Sequence, residues 1–223
     1  MKLNSFVKKL AIIFIGIFLT GIFTPCYGFD NTEGKISIKG KVKEATLSAG
    51  TDYRHDGTDI FHRHYDVGAG FSLPFFGEGW SVRVNYRSVY KKSDEGNWEL
   101  EKRPHGQIQK IFKTSAIKWL PEIKWGIRTR QEGRFKENGT HVTRNRSRIK
   151  IKSGRKFLKV KPFISNEFFY DFDKGEYNKN RVNVGVDLPE INKTTSSIYY
   201  KLTADLDDDE WVNTSSVVLK IGF

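Results

Sequence analysis

From residue 45 onward, apolar and polar residues alternate with a period of two. Trp80, Val82, Val84 and Tyr86 are interleaved with Ser81, Arg83, Asn85 and Arg87. Val182, Val184, Val186 and Leu188 are interleaved with Arg181, Asn183, Gly185 and Asp187. Ile123, Trp125 and Ile127 alternate with Lys124, Gly126 and Arg128, and Ile198, Tyr200 and Leu202 with Tyr199, Lys201 and Thr203. Successive side chains of a strand point to opposite faces, so this period predicts strands with one apolar and one charged face. No helix-period stretch of useful length follows residue 29.

Turn signals divide the runs. One set comprises His55–Asp59, Ser93–Asn97, Lys136–Thr140 with its Asn138-Gly139 hairpin signal, Asp171–Tyr177 and Asp205–Glu210. A second set, Leu73–Gly79, Thr114–Pro121, Ser153–Lys156 and Pro189–Lys193, alternates strictly with it. The first set is the more acidic and reads as outer loops, the second as periplasmic turns. Ten strands are predicted, at about 45–54, 61–72, 80–90, 98–112, 122–135, 141–152, 157–169, 179–188, 195–204 and 212–223. An even number suits bacterial barrels. Lys35–Val42 offers a further strand, and a break at Arg103-Pro104-His105 would bring the count to twelve.

The first 28 residues stand outside this pattern. Lys2, Lys8 and Lys9 precede the uncharged apolar run Leu10–Ile22, and Cys26-Tyr27-Gly28 supplies small residues for a cut after Gly28. The run is about 13 residues long, against the ~20 that a spanning helix needs, so a cleaved secretory signal is expected over 1–28. Residues 29–44 then form a lead-in or an extra strand, and 45–223 the barrel. The sequence holds one cysteine, Cys26, which leaves with the signal. Disulfides, thiol catalysis and cysteine metal sites are excluded from the remainder.

A half-apolar strand suits a soluble sandwich as well as a membrane barrel. The last strand favours the barrel: Val217, Leu219, Ile221 and Phe223 are apolar at alternate positions and end on an aromatic. This resembles the targeting strand of bacterial outer-membrane proteins. It implies recognition by the barrel-assembly machinery and contact with outer-membrane lipid and lipopolysaccharide. The expected fold is all-β, a single antiparallel transmembrane barrel of about ten strands in a Gram-negative outer membrane.

Four stretches carry a family resemblance. They are Ile127-Arg128-Thr129-Arg130-Gln131-Glu132-Gly133-Arg134, Thr143-Arg144-Asn145-Arg146-Ser147-Arg148, Lys161-Pro162-Phe163 through Asn166-Glu167-Phe168-Phe169, and Asn178-Lys179-Asn180-Arg181 through Gly185. Their order resembles an uncharacterised family of small outer-membrane barrels, known only as a domain of unknown function. The resemblance runs from about Arg103 to the end and implies fold and location, but no activity. Thr51-Asp52-Tyr53-Arg54-His55 and the arginine rows are also similar, more loosely, to narrow porins for acidic oligosaccharides.

Charge then enters through the inward parity. The chain carries 38 Lys and Arg against 26 Asp and Glu. Arg83, Arg87, Arg128, Arg130, Arg134, Arg144, Arg146, Arg148, Lys150 and Arg181 fall on the polar side of their strands, with Glu132 and Glu167 among them. Facing lipid, each Arg or Lys would cost up to ~2–4 kcal/mol at mid-membrane, so all are expected inside. There they line a narrow path that favours small anions, or they form a salt-bridged plug. Thr143, Asn145 and Ser147 occupy the opposite parity, which suggests that this hairpin projects above the membrane, with His141 and Arg144 near the rim.

Enzymatic readings find little support. His55, His62, His64, His105 and His141 are the available bases, and no nucleophile motif accompanies them. An outer-loop hydrolase around His55 and Asp56 is the third functional reading. His62 and His64, with Asp66 next in their row, read as a polar interior row in preference to a metal site. No cofactor and no catalytic residue is assigned. The basic residues are spread over inward positions, which argues against a nucleic-acid partner.

Overall fold

In the computed structural model, residues 30–56, 59–93, 95–114, 122–191 and 193–223 are described. The expected signal segment, with Cys26, lies outside them. The described residues form a closed barrel of eleven strands. These are β1 Asn31–Val42, β2 Ala45–His55, β3 Ile60–Ser72, β4 Trp80–Lys92, β5 Trp98–Thr114, β6 Ile123–Lys136, β7 His141–Ser153, β8 Lys161–Asp171, β9 Glu176–Asp187, β10 Thr195–Asp207 and β11 Glu210–Gly222. No helix among them is long and apolar enough to cross a membrane, which has no bearing on strands.

The expected even count gives way to eleven because the lead-in is a strand. In β1 the outward row is Gly34, Ile36, Ile38, Gly40 and Val42, and two glycines thin its apolar signal. A two-residue turn with Lys43 at φ 53° joins it to β2. Eleven strands linked by hairpins leave the first and last pointing the same way. β1 therefore closes on β11 in parallel, from Asn31 opposite Ser216 to Ser37 opposite Gly222. Every other pairing is antiparallel.

Two further expectations are corrected. Arg103-Pro104-His105 does not break β5. Pro104 pairs with Tyr86 on β4, and only the ladder to β6 skips a step there, from Lys102–Phe135 to His105–Glu132. Proline lacks the N–H that a second ladder would need. The strand expected from Phe157 begins at Lys161. Phe157 and Val160 instead close a tight turn, with Leu158 and Lys159 at φ 48° and 70°.

The barrel is inverted relative to a soluble domain. Val67, Val84, Ile127, Ile149, Leu202 and Leu219 are exposed outside it, whereas the buried side chains include Arg128, Arg130, Glu132, Arg144, Arg146 and Glu167. A closed barrel with an apolar outer band and a polar interior is compatible with an outer-membrane protein. The two sets of connections lie at opposite ends. Those after β2, β4, β6, β8 and β10 mark the acidic end, and those after β1, β3, β5, β7 and β9 the basic end.

Of the three polar residues on the outward parity of β7, Asn145 and Ser147 have side-chain hydrogen-bond partners on that face. Asn145 Nδ2 donates to Thr129 Oγ1 at 3.0 Å, and Ser147 Oγ donates to Asn145 Oδ1 at 2.9 Å. Asn180 Nδ2 donates to Asn166 Oδ1 at 3.1 Å on the same outer face. His141 is at the rim, stacked on Phe135 with ring centroids 4.4 Å apart. Arg144, three residues further along β7, is buried within the barrel.

Candidate functional site: an ion-pair network above a basic chamber

Inward parity on β6, β7 and β8 sets three polar rows side by side. Arg130 stands opposite Arg146, Glu132 opposite Arg144, and Arg148 opposite Glu167. Such a register would repel itself unless each carboxylate served several cations. Glu132, fully buried, accepts from Arg144 Nη2 at 2.8 Å and from Arg146 Nη1 at 3.2 Å. Glu167 accepts from Arg146 Nη2 at 3.0 Å and from Arg128, with Arg181 Nη1 at 3.6 Å. Arg146 thus spans both carboxylates with one planar fork, a geometry unavailable to lysine. Beneath them the guanidinium carbons of Arg144, Arg146 and Arg181 lie 4.7–5.1 Å from the centroid of buried Phe169, within range of a cation–π contact.

Two smaller clusters continue the network around the wall. Glu101 binds Arg134 and Arg103, the latter at 2.7 Å. Glu33 binds Lys201, Lys35 and Arg54, and Asp52 takes Lys35 at 2.9 Å. Glu33, Asp52, Glu101 and Glu132 all sit within the first few residues from the acidic end of their strands. Together with Glu167 at mid-strand, they gather most of the buried interior carboxylates toward that end.

Open space lies beside this network and reaches toward the other end. Two cavities of about 460 and 500 Å³ share Arg148 and Lys220 in their walls. The first is bordered by Arg83, Arg87 and Arg130, the second by Lys150, Lys152 and Lys161. Among the described residues, Arg83, Arg148 and Lys220 have no carboxylate at ion-pair distance. Arg130 has only a neutral partner, donating through Nε and Nη2 to Gln107 Oε1 at 3.2 and 2.8 Å. Lys150 lies over the ring of Phe163 at 3.9 Å. Lys220 is surrounded by charges of its own sign, from Lys39, Lys35, Lys150 and Arg148. The chamber is a field of under-compensated cations.

The residues singled out in the sequence therefore divide into two groups. Arg128, Arg134, Arg144, Arg146, Arg181, Glu132 and Glu167 belong to the closed network, while Arg83, Arg130, Arg148 and Lys150 border the chamber. Arg128 also borders the first cavity, and Arg87 borders it while holding Asp66 at 2.8 Å. Lys201 was read only as part of a polar row, Asp52 and Arg54 entered only through the loose likeness to narrow porins, and Glu33, Lys35 and Lys220 were not singled out. Their signal was parity alone: Lys220, for example, alternates with Leu219 and Ile221 in the expected targeting strand. The row His62, His64, Asp66 does not act together. Asp66 is engaged with Arg87 and Asn85, and it is Asp52 of β2 that faces His64.

No curated protein matches the chain. Residues 31–208 match the family described as protein of unknown function (DUF2490). That span takes in β1 to β10, including the N-terminal strands that lie before the resemblance read from Arg103 onward. With most of the barrel covered, the chain belongs to the DUF2490 family.

Proposed function

We propose that this protein is an outer-membrane barrel whose basic interior admits small anionic solutes, carboxylates or phosphates, and favours their passage over that of cations. The observation that carries the reading is the set of cations without carboxylate partners, Arg130, Arg148 and Lys220, around a connected chamber. Buried or confined cations without counter-charge raise the local concentration of anions and lower their barrier to entry. Arginine forks pair with carboxylate or phosphate oxygens two at a time. The apolar outer band supports membrane insertion. The apolar row of β11, Val217, Leu219, Ile221 and Phe223, supports recognition by the assembly machinery. Lipopolysaccharide would surround the acidic end.

A second reading has its own observation. Glu132 and Glu167 leave Arg144 and Arg146 no free charge, and all four are buried. On that reading the acidic half is a plug, and the chamber binds anions without passing them. Single-channel recording of the refolded protein under a salt gradient separates the two. Discrete steps with anion preference, reduced in an Arg148→Ala, Lys220→Ala variant, support passage. Cation preference sinks the proposal, and silence leaves a plugged barrel.

A further inference from the structure

Where the ion-pair network meets the first cavity, β2 and β3 bring three ligating groups together. Asp52 stands directly opposite His64 across the ladder, and His62 lies two residues along the same inward face. One donor atom from each falls within 4.8 Å of the other two. Asp52 is 2% exposed and His62 5%. Asp52 Oδ2 is held by Lys35, but Asp52 Oδ1 and His62 Nδ1 are buried without a hydrogen bond. Buried polar atoms are nearly always satisfied, so an unpartnered imidazole nitrogen and an unpartnered carboxylate oxygen within one cluster of ligating groups ask for a ligand.

We propose that Asp52, His62 and His64 bind a divalent transition-metal ion. Two imidazole nitrogens and one carboxylate oxygen suit zinc, copper, nickel or iron, whereas calcium and magnesium prefer all-oxygen sites. Three protein ligands leave at least one position open. Asp52 and His64 border the cavity, so that position faces the chamber and an ion has a route in.

The neighbouring cations set the cost. Lys35 Nζ is 2.9 Å from Asp52 and Arg54 Nε 3.8 Å. Both also contact Glu33, each at 3.1 Å. A metal that displaces them from Asp52 therefore leaves each with a carboxylate. Arg87, the next cation along, is already held by Asp66. An anion entering the chamber supplies the remaining counter-charge at the open position.

The test is equilibrium binding, which needs no conductance and stands apart from the transport reading. The refolded barrel is stripped with a chelator and titrated with Zn²⁺ against a chromogenic competitor. One equivalent is expected to bind. Affinity is expected to fall at least tenfold in Asp52→Asn, His62→Gln and His64→Gln, and to be unchanged in an Asp208→Asn, Asp209→Asn variant of the acidic end. Heat-modified gel mobility checks that each variant has folded. If a histidine variant does not refold, the wild type loaded with Cu²⁺ decides, because its electron paramagnetic resonance spectrum must show coupling to two imidazole nitrogens. No binding, binding that survives the three substitutions, or a copper spectrum without nitrogen coupling overturns the proposal.

Discussion

Lys35 and Lys220 lie directly opposite each other across the parallel seam between β1 and β11. Like charges placed opposite in a ladder repel. Lys35 is compensated by Glu33 and Asp52, whereas Lys220 has no carboxylate partner among the described residues. The seam that closes the barrel thus carries an uncompensated charge, and it is here that a bound anion contributes most. Phosphate is expected to raise the unfolding temperature of the refolded barrel more than chloride does at equal ionic strength. A ligand at 100 times its Kd adds about 2.7 kcal/mol. Lys220→Gln should raise stability at low salt and remove most of the phosphate effect. Equal responses to both salts would remove the anion site from the seam.

The network of the acidic half makes the opposite prediction. Glu167 holds Arg128 and Arg146, with Arg181 beyond. Removing one partner of a buried ion pair costs about 3–5 kcal/mol, because the other charge stays buried and alone. Glu167→Gln is therefore expected to destabilise the barrel by about 3 kcal/mol or more, read as a lower denaturant midpoint in micelles. Glu132→Gln should cost less, since Arg146 keeps one carboxylate in either variant and only Arg144 is left alone, whereas Glu167→Gln strands Arg128 and Arg181. The order of the two variants is the check. If Glu132→Gln proves the more damaging, the number of arginines left without a carboxylate does not set the cost.

Gly185 supports one wall of the chamber. It pairs with Phe163 on β8 and with Tyr199 on β10, and the two rings meet edge to face over it, 5.8 Å apart. A Cβ there would come within 2.3 Å of both Ile198 O and Tyr199 Cβ. Neither neighbour is a flexible chain end. Overpacking of this kind costs about 1–3 kcal/mol, so Gly185→Ala should lower the denaturant midpoint accordingly. It should also disturb the near-ultraviolet circular dichroism of Tyr199. An unchanged signal would mean that the strands separate easily at this point.

Much of this was legible before any coordinates. Period-two alternation located β2 to β11 to within a few residues, because a one-residue slip would turn every arginine to the outside. The inward assignment of Arg128 to Arg148 followed from the same parity. The closure was not legible. β1 has Gly34 and Gly40 where apolar side chains would have announced it, and its partner β11 lies at the far end of the chain. Nor was the division into network and chamber. Parity shows that Glu132 and Arg130 both point inward, but only the register across three strands shows which arginine finds a carboxylate. The partnership of Asp52 with His64 was not legible for the same reason: a ladder pairing joins them, not sequence spacing.

The membrane reading makes a depth prediction that two tryptophans carry. Trp125 sits near the basic end of β6, stacked on Phe112 at 3.9 Å, with its Nε1 donating to Thr114 Oγ1 at 3.1 Å. Trp211 sits at the acidic end of β11 and is exposed on the outer surface. Aromatic residues at both ends of a barrel belong at the two membrane interfaces, where an apolar ring and a polar tip are both satisfied. Two variants, each keeping one of these tryptophans and carrying Phe at the other four, are reconstituted into vesicles of lipids brominated at different depths. Both fluorophores are expected to be quenched more by bromines near the headgroups than by bromines near the bilayer centre. Equal depths at opposite ends of the strands require a barrel that spans the bilayer. Quenching of only one tryptophan would mean that the barrel lies at the surface. The lipid-facing role of Val84, Ile149 and Leu219 would then be lost, and with it the outer-membrane assignment.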